Sequence, residues 1–150
     1  MQEIADVATE DVVLGSVILY PKEYSRIAPY VPDRKVFTQI KAKNLWDKLT
    51  SLVKANKTID IPILCSSLTR ENNWNGITTG YLVDITTDTG SSGMIEAYAQ
   101  IIYEKYLLRK IVEETETIRQ DALHKGSDVY SLINQAHTLM GELIRVKPGE

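Results

Sequence analysis

The run from Gly93 to Ile144, GMIEAYAQIIYEKYLLRKIVEETETIRQDALHKGSDVYSLINQAHTLMGELI, decides the fold. Between Gly93 and Gly126 it has no further glycine and no proline, and most of its residues are good helix formers. Ile95, Tyr98, Ile101, Ile102, Leu108, Ile111, Val112 and Ile118 recur at helical spacing and predict one long helix over 93–124. His124 and Lys125 before Gly126 predict a cationic last turn and a glycine stop. Ser127 and Asp128 offer an immediate cap for a second helix over 128–145. Its apolar stripe is Val129, Leu132, Ile133, Ala136, Leu139, Met140, Leu143 and Ile144. A connection this short forces the two helices antiparallel. The 32 residues from Gly93 to His124 would span about 48 Å at ~1.5 Å per residue. A compact chain of this length has a radius of gyration of only ~15 Å. The hairpin is therefore expected to project. Its seam, with Leu132, Ile133, Leu139, Met140 and Leu143, then needs a second subunit to cover it.

Upstream of the hairpin the prolines at 21, 29, 32 and 62 divide the chain into short helical pieces. Val13, Leu14, Val17, Ile18 and Leu19 predict a helix over 10–20, closed by Pro21. A short helix over 22–28 follows, and Phe37 anchors the approach to a third helix whose face carries Leu45, Trp46, Leu49, Leu52 and Val53. Asp60 followed by Pro62 is a good helix start, since aspartate caps free amides and proline is tolerated in the first turn. Residues 80–85 read as one more short helix and 86–92 as a loop. No strand pattern of strength appears. The chain is expected to be all-α: a globular multi-helix head over 1–92, a projecting antiparallel hairpin over 93–146, and the start of a linker over 147–150.

Composition narrows the function by exclusion. The 150 residues are 43% hydrophobic and 25% charged, and no apolar run approaches the ~18 residues of a membrane span. The acidic start MQEIADVATEDVVLG lacks the layout of a secretory signal, so the expected location is cytoplasmic. Seventeen Lys and Arg against twenty Asp and Glu leave a net charge of −3, a poor basis for gripping nucleic acid. There is no phosphate loop, and Gly76, Gly80, Gly90 and Gly93 fit no nucleotide fingerprint. Neither a catalytic constellation nor a metal or cofactor site is expected. His124 and His137 read as surface or capping residues, and the lone Cys65 as a buried inert thiol. Seven basic residues between Arg34 and Lys57 read as a solvated helix face, with a phosphate or acidic-partner site as the sharper alternative. Glu113, Glu114 and Glu116 beside Arg109, Lys110 and Arg119 read as a salt-bridged surface. Tyr98, Tyr103 and Tyr106 read as helix packing and not as a platform for bases.

Taken in order, these fragments resemble the N-terminal domain of DnaB-type replicative DNA helicases over nearly the whole chain. The family's first helix, written E-x-x-V-L-G-x-x-L-x-x-P, is matched by Glu10, Val13, Leu14, Gly15, Ile18 or Leu19, and Pro21. Phe37, the pair Leu45-Trp46, the turn Thr58-Ile59-Asp60 and the pair Tyr81-Leu82 follow in the family's order. The most specific stretch, Y-A-x-I-V-x-E-K-x-x-x-R, is matched by Tyr98, Ala99, Ile101, Ile102, Glu104, Lys105 and Arg109. Ile77-Thr78 stands where the family has a glycine pair, and Met94, Ala42 and Ala8 depart from its asparagine, its histidine or asparagine, and its acidic residue.

The resemblance implies a collar. In the family the hairpins pair and three pairs make a ring, a hexamer built as a trimer of dimers. That ring supports motor domains and receives the C-terminal domain of primase or a helicase loader. ATP, Mg²⁺ and DNA belong to the motor, so none is expected in this fragment. Carried over by position, the partner-binding residues are Tyr81, Ile111 and Val112, with Tyr81 expected to be partly exposed and Ile111 and Val112 left open between core and interface. The competing reading is a free-standing helical regulator or loader-like protein that mimics the collar. A phosphate loop downstream in the same reading frame separates the two.

Overall fold

The computed structural model describes residues 4–87, 89 and 92–144, and among these every regular element is helical. The expected linker start at 147–150, the last two hairpin residues 145 and 146, and part of the expected 86–92 loop lie outside the described residues. Helix α1 spans Val7–Leu19. It begins before Glu10 because Asp6 caps it, its carboxylate accepting from the Thr9 N–H at 3.1 Å. Pro21 does close it: a 3-10 turn, Pro21–Glu23, leads into the single turn α2, Tyr24–Ile27, and a second 3-10 turn, Ala28–Tyr30.

Helix α3, Ile40–Lys54, buries the face that the periodicity picks out, with Leu45, Trp46, Leu49 and Leu52 inward. Trp46 stacks on Tyr24 at 4.9 Å between ring centroids and tilts against Phe37 at 5.6 Å. Helix α4, Ile61–Arg70, starts where Asp60 accepts from the Ile63 N–H at 2.8 Å. Helix α5, Thr79–Thr87, is longer than the expected 80–85 piece. Thr78 Oγ1 accepts from the Tyr81 N–H at 3.0 Å and so moves the start back, and in the last turn the Thr86 and Thr87 hydroxyls donate to the Leu82 and Val83 carbonyls at 2.9 and 2.7 Å.

Helix α1 is the centre of the head. It packs against α3 and α5, and against the long helix α6, Ile95–Leu123. A helix apolar on nearly every side belongs inside; Val13, Leu14 and Val17 have no exposed surface, each burial stabilising the fold by ~1.5–3 kcal/mol. Gly15 is required at the α1–α5 crossing, because a Cβ there would run into the Ile85 carbonyl and Thr89 Oγ1.

Helix α6 has 29 residues, about 44 Å at ~1.5 Å each. Its first half buries Ile95, Ala99 and Ile102 against the head. The second half leaves the head and pairs with α7, Val129–Leu143, and every residue from 121 to 131 at the tip is exposed. The hairpin projects as expected. The cationic last turn does not form: α6 ends at Leu123 with His124 already extended, and Gly126 at φ 91° makes the turn that follows. Asp128 accepts from the Tyr130 N–H at 3.1 Å and starts α7. No helix among the described residues is long and apolar enough to cross a membrane.

Candidate functional site

The two sides of α7 have different surroundings. Leu139 is buried and Leu132, Ala136 and Leu143 are half-buried, at the spacing of one helical side, turned toward α6. Val129, Ile133, Met140 and Ile144 lie one position further round and are 57%, 58%, 51% and 74% exposed. The expected seam of Leu132, Ile133, Leu139, Met140 and Leu143 is thus divided. Three leucines complete the hairpin's own packing, and Ile133 and Met140 face water with Val129 and Ile144. The two flanking residues are the signal that a single-stripe reading merges with the rest. On α6, Ile111 is exposed and Val112 half-buried, close in sequence to exposed Leu108.

Tyr81 differs from expectation. It is only 8% exposed, because the head closes around its ring and its hydroxyl donates to Asp11 Oδ1 at 3.1 Å. The Lys41 ammonium sits 4.5 Å above the ring. Burial, with the Asp11 charge beside it, pushes the tyrosine hydroxyl well above the ordinary phenol range. Burial also raises the Asp11 carboxyl, against the Tyr81 hydrogen bond and the Lys41 charge, which hold it down. What reaches the surface at this corner is Lys41 and Asp11, organised by the ring. No hydrogen bond, ion pair or ring contact joins Tyr81 to Ile111 or Val112 among the described residues.

Next to Glu10 the same helix makes a second polar junction. Glu10 is 1% exposed, and its carboxylate accepts from the Thr38 N–H at 2.8 Å and from Thr38 Oγ1 at 3.0 Å. Burial raises this carboxyl above its ordinary value, while the Thr38 bonds and the Arg109 charge oppose the shift. Arg109 is no member of a salt-bridged surface. Its guanidinium turns inward, Nη1 donating to the Ile4 carbonyl at 2.9 Å and Nη2 to those of Lys35 and Val36 at 2.8 and 3.1 Å. Only Glu116 and Arg119 of that acidic-basic group pair, at 3.5 Å. Beside Arg109 an open cleft of about 390 Å³ separates α6 from the 3-10 turn Arg34–Val36 and the start of α3, lined by Lys35, Thr38, Lys43 and Tyr106.

The basic run is not one solvated face. Lys48 is 4% exposed and its ammonium meets Glu71 at 2.6 Å, an ion pair that holds the Glu71 carboxyl below the usual range. Cys65 is half-buried, not buried, with its sulfur 3.9 Å from Thr79 Oγ1. Tyr103 packs edge-on against Tyr30 at 6.2 Å and beside Tyr106 at 6.4 Å, as the packing reading requires. His124 and His137 are exposed, and no group of three or more metal-ligating side chains occurs among the described residues.

The geometry describes a helical head and a hairpin with an uncovered apolar side. The family described as the DnaB-like helicase N terminal domain matches residues 2–104. The replicative DNA helicase DnaC of Bacillus subtilis is 25% identical over 146 residues, covering 95% of this chain and 31% of that protein. The replicative helicase DnaB of Rhodothermus marinus is 25% identical over 86% of this chain and 14% of its own length. The chain therefore spans about a third or less of these relatives. Among solved structures, the N-terminal domain of DnaB helicase from Mycobacterium tuberculosis superposes with a TM-score of 0.82 at 23% identity, covering 94% of this chain and 99% of that one. A DnaB-like replicative helicase, described with its interactions with primase, superposes at 0.70 and 19% identity over 90% of this chain and 30% of that one. Helix order, central α1 and the projecting α6–α7 hairpin agree with a family match over more than half of the sequence: the chain belongs to the DnaB-like helicase N-terminal domain family.

Proposed function

We propose that the chain is the N-terminal collar of a hexameric replicative DNA helicase, which assembles the ring and docks primase or a helicase loader during DNA replication in the cytoplasm. The head, 1–92, and the hairpin, 93–146, divide these tasks. Residues 147–150 begin the linker to a motor domain, which handles ATP, Mg²⁺ and DNA. The observation that carries this reading is the exposed apolar side of α7 on a chain that spans 31% of a replicative helicase. Val129, Ile133, Met140 and Ile144 suit a second hairpin of the same kind, giving a two-fold dimer, and three dimers close a ring. Leu132, Leu139 and Leu143 support that seam from inside the hairpin. Tyr81, Ile111 and Val112 serve partner docking, Ile111 by direct contact and Tyr81 by holding Lys41 and Asp11 at the surface.

The test has two arms. Sedimentation of the unmodified chain across concentration should show dimers and larger species, and Ile133→Asp should give a monomer with an unchanged helical spectrum. A monomer at every concentration for the unmodified chain removes the pairing. Titration with the C-terminal domain of the cognate primase should lose about thirtyfold, ~2 kcal/mol, when a docking anchor such as Ile111 becomes alanine. Unchanged affinity in a folded Ile111→Ala variant takes that residue out of the site.

A further inference from the structure

The loop joining α4 to α5 reads ENNWNGIT over 71–78. Of the five positive-φ residues in the described structure, three lie here: Asn72 at 50°, Asn75 at 42° and Gly76 at 89°. Asn75 is the only one of the chain's six asparagines that precedes a glycine.

What distinguishes Asn75 is the nitrogen that follows it. An asparagine side chain is attacked by the backbone nitrogen of the next residue, so that nitrogen must be free and unhindered. After Asn44 and Asn134 it lies inside α3 and α7. The Lys57 nitrogen after Asn56 donates to the Leu52 carbonyl at 3.0 Å, and the Asn73 nitrogen after Asn72 donates to that of Leu68 at 2.9 Å. Asn73 is followed by Trp74, a bulky residue that slows ring closure where a glycine does not. The Gly76 nitrogen donates to no acceptor among the described residues, and both Asn75 and Gly76 are exposed. A Cβ built at Gly76 would meet only Lys41, at 3.6 Å and beyond. Among the described residues the Asn75 carboxamide has one side-chain partner, exposed Asn73; the Asn75 carbonyl accepts from Asn44 Nδ2 at 2.9 Å and the Ile77 N–H donates to the Trp74 carbonyl at 2.8 Å, and these two main-chain bonds must loosen as the ring closes.

We propose that Asn75–Gly76 is a self-modification site, where the Gly76 nitrogen closes on the Asn75 side-chain carbon to form a succinimide that water opens to aspartate or isoaspartate. The Gly76 nitrogen gives up its proton and bonds to Asn75 Cγ. The Cγ–Nδ2 bond breaks, and Nδ2 leaves as ammonia carrying that proton. Water then adds to one ring carbonyl: at Cγ it restores the main chain with an aspartate, and at the main-chain carbon it routes the backbone through the side chain. No oxidant is needed, and the sum is asparagine plus water giving an acid plus ammonia. Either product adds one negative charge beside Lys41, whose ammonium covers Tyr81, so the site writes a charge change next to that corner.

The experiment incubates the full chain in mildly alkaline buffer, folded and in urea, and follows it by peptide mass spectrometry with isoaspartyl methyltransferase labelling. In the folded chain, residue 75 should convert several-fold faster than any other asparagine and give both products. Asn75→Gln should abolish the labelling. Conversion of another asparagine first, or conversion at 75 only in urea, overturns the proposal.

Discussion

Replacing Arg109 with methionine removes one guanidinium that ties α6 to the head while keeping much of its aliphatic stem. Three carbonyls lose a charged donor: Ile4, Lys35 and Val36, at 2.9, 2.8 and 3.1 Å. A hydrogen bond to a charged group nets ~1.5–3 kcal/mol, so three isolated from water would sum to about 4.5–9 kcal/mol. Arg109 is half-buried at the rim of an open cleft, where water replaces part of the fork. The expected loss is therefore ~2–3 kcal/mol. For a domain of this size each kcal/mol moves the melting temperature by ~2–4 °C, giving a fall of about 4–12 °C. The loss carries a pH signature as well. Burial raises the Glu10 carboxyl and the Arg109 charge opposes that rise, so without Arg109 it rises further. The folded state then binds more protons than the unfolded state over a wider window, and stability falls as pH rises through it. The deficit of Arg109→Met should be larger at neutral than at mildly acidic pH. Circular dichroism melts at fixed protein concentration measure both effects. Arg109→Lys should recover only part of the loss, because an ammonium lacks the planar fork. A methionine variant melting within ~1 °C of the parent at both pH values refutes the clamp.

Glu10→Gln should keep the acceptor for the Thr38 N–H and remove the titration; its urea midpoint should gain on the parent as pH rises above the ordinary glutamate range, and a pH-independent difference would contradict this. Gly15→Ala should cost ~1–3 kcal/mol in thermal unfolding by forcing α1 and α5 apart, and an unchanged midpoint would show the crossing to be looser. Tyr81→Phe should lose ~1 kcal/mol with the Asp11 hydrogen bond while keeping the ring under Lys41. If phenylalanine also loses primase affinity, the hydroxyl and Asp11 belong to the docking surface; if only alanine does, the ring is what matters.

Local chemistry determined most of the architecture from sequence alone. Asp60 and Asp128 cap the helices they announce, Gly126 turns the chain between α6 and α7, and the spacing of Leu45, Trp46, Leu49 and Leu52 names the buried face of α3. Those signals act within a few residues, so a linear reading captures them. The length of α6 against the size of the head likewise made the hairpin project. Only the tertiary structure decided which side of each element is covered. It divided the α7 stripe into Leu132, Leu139 and Leu143 facing α6 and Ile133 and Met140 facing water. It also drew Tyr81 inward to Asp11, sent Lys48 to Glu71, and turned Arg109 from its neighbouring glutamates to carbonyls as many as 105 residues away. A carbonyl and a carboxylate are equivalent lures for a guanidinium in sequence. Which one it meets depends on where the backbone has unspent acceptors, and that is known only once the chain has closed on itself.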